Sequence, residues 1–184
     1  MSTKEHDALV IKDMLSHAVG EKVWGVRLVA ERAHRISIHF GSPTPVEGKS
    51  KTVRGKWRLL TEWCVWRLEK DGDPFVGSGD VPHLPLSDQD SQEYRNEIVA
   101  MQSEVQTQLE RLNNLTLLAI EVFPLSFDVT FTFSEGIVLH LFSIVSKDDE
   151  SVNRRARHWF FHLPNDEVLT VGPGTSWEVM KRSA

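Results

Sequence analysis

The chain has 184 residues, 40% hydrophobic and 26% charged, with a formal net charge of -5 and a single cysteine. A chain of this length is expected to form one domain that hides roughly 70% of its unfolded surface, without a covalent staple. Cys64 alone excludes an internal disulfide, no apolar run reaches membrane-spanning length, and the net acidity argues against a surface built throughout for phosphate backbone.

The N-terminal stretch carries Lys4, Glu5, His6, Asp7, Lys12 and Asp13 instead of a signal-peptide pattern, so a reducing, cytoplasmic setting is expected. Ser2 and Glu5 have the spacing of a capping box, and Ala8, Ile11, Leu15 and Ala18 recur at helical spacing until Gly20, which predicts a helix over 3–19. Residues 22–29 and 35–40 read as paired strands, the second alternating Ile36, Ile38 and Phe40 against Ser37 and His39. Residues 41–56 are rich in Gly, Pro and Lys and read as a loop. Residues 57–69 read as one long central strand, because Trp57, Leu59, Trp63 and Val65 on one face and Leu60, Cys64, Trp66 and Leu68 on the other are all apolar. In that strand Arg58 and Glu62 share a face and are expected to pair.

Ser87 and Asp90 are candidate caps for a helix over 88–112, whose stripe is Tyr94, Ile98, Met101, Val105, Leu109 and Leu112. The stripe packs on this domain's own sheet or, as the alternative, on a second copy in a homodimer. A strand over 115–122 follows. The alternation of Phe127, Val129, Phe131 and Phe133 with polar residues then predicts a hairpin whose loop is Ser134-Glu135-Gly136, with Gly136 left-handed. A charged loop, a strand at 158–163 and short strands near 168–171 and 177–179, separated by Gly172-Pro173-Gly174, complete the chain.

One β unit is read twice. Residues 25–40 parallel 119–133, and Trp66-Arg67-Leu68 with its turn and Gly77-Ser78-Gly79 parallels Trp159-Phe160-Phe161 with its turn and Gly172-Pro173-Gly174. The expected fold is α+β and mostly antiparallel: one domain over 1–184, with β repeats at 22–80 and 115–180 joined by the helix 88–112, as a sandwich or an open barrel. These motifs, with the Gly77-Ser78-Gly79-Asp80 turn and the Asp-x-Thr-Phe-x-Phe-Ser-x-Gly hairpin at 128–136, resemble those of small uncharacterised bacterial proteins of unknown function. Some members of similar families occur beside polymorphic toxins as candidate immunity proteins. The resemblance implies a partner-binding role and transfers no catalytic residue.

Three sets of residues carry chemistry. Hairpin register places Asp128, Thr130 and His140 on one face, a carboxylate and an imidazole as in the base half of hydrolytic sites, with His158 and His162 as candidate neighbours. No nucleophile stands at a diagnostic spacing. His158 and His162 lie roughly 13 Å apart along a strand, too far to share an ion, so neither metal nor cofactor is expected. Two loops are basic, Lys49, Lys51, Arg54 and Lys56 before Trp57, and Arg154, Arg155 and Arg157 before Trp159. They suit an acidic protein partner and, less well, nucleic acid. The leading expectation is a non-enzymatic binding protein, for which the resemblance suggests the immunity type. The alternatives are a ligand-binding or hydrolytic protein using Asp128 and His140, and nucleic-acid binding through 49–56 and 154–158.

Overall fold

The computed structural model describes residues 2–29, 35–45, 52–82, 92–143 and 157–181. It is an α+β sandwich of antiparallel sheets, not a closed barrel. Helix α1 spans Thr3–Ser16 and starts at the expected capping box, with Ser2 Oγ accepting from Glu5 N and Glu5 Oε2 accepting from Ser2 N at 2.6 Å. It buries Ala8, Ile11 and Leu15 and gives way to a turn that buries Ala18.

The strands are β1 (Val23–Leu28), β2 (Ile36–Phe40), β3 (Thr44–Pro45), β4 (Val53–Arg54), β5 (Trp57–Thr61), β6 (Cys64–Lys70) and β7 (Asp73–Gly77), then β8 (Leu117–Val122), β9 (Val129–Phe133), β10 (Ile137–Ser143), β11 (Trp159–His162), β12 (Glu167–Gly172) and β13 (Ser176–Lys181). One sheet runs β1-β2-β5-β11-β12-β13, the other β7-β6-β10-β9-β8, and β3 pairs with β4 in a small flap inside the expected loop. At the β9–β10 turn both Glu135 and Gly136 take positive φ, 63° and 73°.

Residues 57–69 are therefore not one strand. Trp57, Leu59 and Thr61 point into the core, then Cys64, Trp66 and Leu68 do, so the inward parity changes at the bend of Glu62 and Trp63. Both faces of the segment are apolar because it supplies one inner face to each sheet in turn. The bend is held by Glu62 N donating to His158 O at 2.7 Å and Trp63 N donating to Arg157 O at 3.1 Å. It also redirects Glu62, which pairs with Arg35 rather than with Arg58, while Arg58 Nε donates to Ser37 Oγ at 2.9 Å.

The connections of the two halves follow one plan. The first half lays down β1-β2-β5 and hands β6-β7 to the opposite sheet; the second lays down β8-β9-β10 and hands over β11-β12, with β13 added. The helices cross over as well, α1 packing on β8 and the second helix on β1. The inner faces meet through Phe40, which stacks on Phe131 at 6.4 Å across the sandwich and against Phe161 at 5.9 Å in its own sheet. Each such fully buried large apolar side chain contributes roughly 1.5–3 kcal/mol.

Helix α2 spans Gln92–Leu109 and tightens into a 3-10 turn at Glu110–Leu112; its expected beginning, with Ser87 and Asp90, lies outside the described residues. Ile98, Val105, Leu109 and Leu112 are buried as the stripe predicts, whereas Tyr94 and Met101 are exposed. Polar residues of this connection close the free edge of β1. Gln106 Oε1 accepts from Leu28 N at 2.7 Å, Gln106 Nε2 donates to Val26 O at 3.0 Å, and Asn113 Oδ1 accepts from Val26 N at 3.3 Å. Asn114 N and Leu115 O complete the edge on Val23. A side-chain amide here does what a neighbouring strand would do, which satisfies buried backbone groups and blocks edge pairing.

Candidate anion-binding groove

The polar residues expected to act together are distributed over both sheets. Thr130 and His140 are directly paired across β9 and β10, with Thr130 Oγ1 3.2 Å from His140 Nδ1. The carboxylate beside this imidazole is Glu69, whose Oε1 lies 2.9 Å from Nε2; Asp128 instead accepts from Ser143 N at 2.7 Å. Glu69 was not legible as a partner because β6 joins β10 only through the exchange of hairpins between halves. His158 is 1% exposed, and neither ring nitrogen has a hydrogen-bond partner among the described residues. His162 belongs to the outer face of the other sheet. No group of three His, Cys, Asp or Glu side chains among the described residues is placed to hold a metal ion.

The basic segments are also separated. Lys49, Lys51, Arg154 and Arg155 lie outside the described residues. Arg54 and Lys56 enter β5 at one end, where Arg54 Nη2 is 2.7 Å from Asp166 Oδ1. Arg157 enters β11 at the opposite end of the sheet, 2.6 Å from Glu178 Oε1.

Arg54 and Lys56 do line a groove, of about 720 Å³, on the outer face of the six-stranded sheet. That volume lies within the range of ligand sites. Its floor is a row across four strands, Trp24, His39, Arg58 and His162, each the register partner of the next. Arg27 and Ser37 form the adjoining row. In a regular strand residues 24 and 27 would face opposite sides. The bulge in β1, where Gly25 takes φ 60°, turns both toward the groove. The flap, Leu163, Pro164, Asp166 and Glu167 form the walls.

Four permanent cations, Arg27, Arg54, Lys56 and Arg58, line this space against two carboxylates, Asp166 and Glu167, with Lys56 Nζ also 3.9 Å from Glu21 Oε1. Asp166 is engaged by Arg54, and Glu167 Oε2 accepts from Asn165 at 2.6 Å. Arg27 has no ion-pair partner among the described residues. His39 Nδ1 accepts from Gly55 N at 2.9 Å, which places the ring proton on Nε2, and the ring lies 4.6 Å from that of Trp24. Burial first, then Arg58 and Arg27, push the His39 pKa down to about 4. The imidazole is a neutral donor at physiological pH, and the groove's charge comes from its guanidinium and ammonium groups.

The sign of the pH effect follows. His39 and His158 are both lowered by burial, the latter against an opposing pull from Asp128, while the unfolded chain protonates near pH 6.5. Stability is at its full value above that pH and declines as pH falls toward 4, because the unfolded state binds the extra protons. The urea midpoint is expected to drop between pH 7 and 5, and to drop less in His39→Gln. A His39 ring resonance that titrates near 6.5 would contradict this account.

The alternation of Ser37 and His39, and of Arg58 with the inward Trp57 and Leu59, was legible in the sequence. That they share a floor was not, since this depends on strand order. Compared with protein-family models, with curated proteins and with solved structures, the chain matches none. No helix among the described residues is long and apolar enough to cross a membrane.

Proposed function

We propose that this chain is a non-enzymatic binding protein that receives an acidic segment of a partner protein in the groove. The observation that carries the reading is the convergence of Arg27, Arg54, Lys56 and Arg58 on one concavity of a chain whose net charge is -5. Guanidinium groups flanking the Ser37 hydroxyl and the His39 ring suit carboxylates, which they bind with charge-assisted, directional hydrogen bonds. Overall acidity favours a protein partner over nucleic acid, whose backbone would be repelled outside the groove. A partner-neutralising role of the immunity type is one form such binding takes, and the buried, reduced Cys64 suits a cytoplasmic setting.

The test is fluorescence anisotropy with a labelled glutamate-rich peptide. Binding that weakens with salt and falls about tenfold in Arg27→Ala, the loss of about 1.4 kcal/mol, is the expected result. Equal binding by wild type and variant would remove the groove from the reading, and tighter binding of a single-stranded oligonucleotide would favour nucleic acid. The hydrolytic alternative has less support, because Asp128 is committed to the Ser143 amide and does not accept from His140.

A further inference from the structure

The sandwich treats its sheet edges unequally. The β1 edge is closed by Gln106, Asn113 and the chain at 114–115. β7 carries Pro74 and a register shift, and β8 carries a register shift and is overlaid at Leu117 by Gly20 and Glu21. Proline, bulges and covering chain are the devices by which edges avoid pairing. Among the described residues β13 has none of them. It pairs with β12 over six consecutive residues without irregularity, and among the described residues its outward backbone groups have no partner.

The same strand ends the core unfinished. Trp177 and Val179 pair with Val171 and Leu169, which are fully buried, yet Val179 is 37% exposed and Trp177 is only partly covered. An added strand would continue this inner face. Charge selects the occupant. If a second β13 runs antiparallel about an axis at Val179, Val179 faces its own copy, Trp177 faces the second copy's Lys181, and Glu178 faces the second copy's Met180. No like charges oppose each other, and an ammonium over an indole is a contact this chain already makes, with Lys56 Nζ 4.1 Å from the centre of Trp57. Glu178 is also neutralised in place by Arg157.

We propose that β13 is a dimerisation edge, on which a second copy of this chain adds its own β13 antiparallel about a two-fold axis at Val179, joining the two six-stranded sheets into one. The axis is perpendicular to the sheet, so both grooves open on the same side of the joined sheet. A partner with two acidic segments would engage both. Pairing along one strand covers less than a standard interface of about 1,600 Å², so the dimer is expected to dissociate in the micromolar range.

Sedimentation of the full chain over a concentration series, from about 1 to about 100 μM around that expected affinity, tests this. The expected result is a monomer–dimer equilibrium that Val179→Lys, which sets two ammonium groups on the axis at an exposed position, weakens at least tenfold without changing the circular dichroism spectrum. In the same register Val179→Cys forms an intermolecular disulfide on mild oxidation, whereas the buried Cys64 does not compete. A protein that remains monomeric throughout, with no Val179→Cys cross-link, overturns the proposal. So does a dimer that Val179→Lys leaves unaffected, which would direct attention to the exposed residues of α2.

Discussion

Trp66→Ala and Trp159→Ala are each expected to cost ~3–5 kcal/mol, the loss seen when a large aromatic leaves a cavity in a core that relaxes only partly. Both indoles are fully buried, and both stand near the start of the hairpin that one half of the chain gives to the other half's sheet. Trp66 is held between β10 and β7, Trp159 between β5 and β12, and ladders on either side limit collapse into the void. Against a usual total of about 5–15 kcal/mol, either change removes a large share of the stability. Urea unfolding followed by fluorescence measures it. A second comparison separates volume from polarity. Trp159 Nε1 has no hydrogen-bond partner among the described residues. Trp159→Phe therefore gives up no hydrogen bond and is expected to cost well under half of Trp159→Ala. A cost equal to that of the alanine variant would mean that the indole nitrogen is bonded after all.

The second large effect is expected at Gly55. A Cβ there would lie 2.7 Å from both Phe40 O and Trp57 O and 2.9 Å from Phe40 N, backbone atoms of β2 and β5 that cannot yield without opening the sheet. Gly55→Ala is expected to destabilise by ~3 kcal/mol through overpacking. By displacing the flap it should also break the hydrogen bond from Gly55 N to His39 Nδ1 and uncover the ring, so that relief of burial, the main cause of the lowered pKa, raises it from about 4 and peptide binding weakens. Gly79→Ala is the control. A Cβ at Gly79 meets nothing within 4 Å, and its urea midpoint should match wild type. Loss of stability in Gly55→Ala with an unmoved His39 titration would show that the flap does not position the floor of the groove.

Much of the local structure was legible. The capping box of α1, the alternation in β2 and β9, and the turn glycine at 136 each rest on interactions within a few residues, so sequence spacing suffices to find them. The long segment 57–69 was misread for a physical reason. A strand buried on both faces and two strands joined by a bend, each buried on one face, leave the same apolar record. Only the change of inward parity at Glu62 and Trp63 tells them apart. The candidate site was less legible still. Hairpin register makes Asp128 the expected carboxylate for His140, but the one beside the imidazole is Glu69, which arrives from β6, in the other half of the chain and far outside the hairpin in chain order.

The composition of the core, the α+β class and the antiparallel habit follow from the order of residues alone, because period and turn chemistry are local properties. The same order puts Arg54 and Lys56 in a basic segment. Tertiary structure decided which hairpin belongs to which sheet, and through that exchange it brought Trp24, Arg27, His39, Arg58 and His162 onto one floor. Side chains on one face of separate strands become neighbours only when strand order and register are fixed, and those are set by packing between distant parts of the chain.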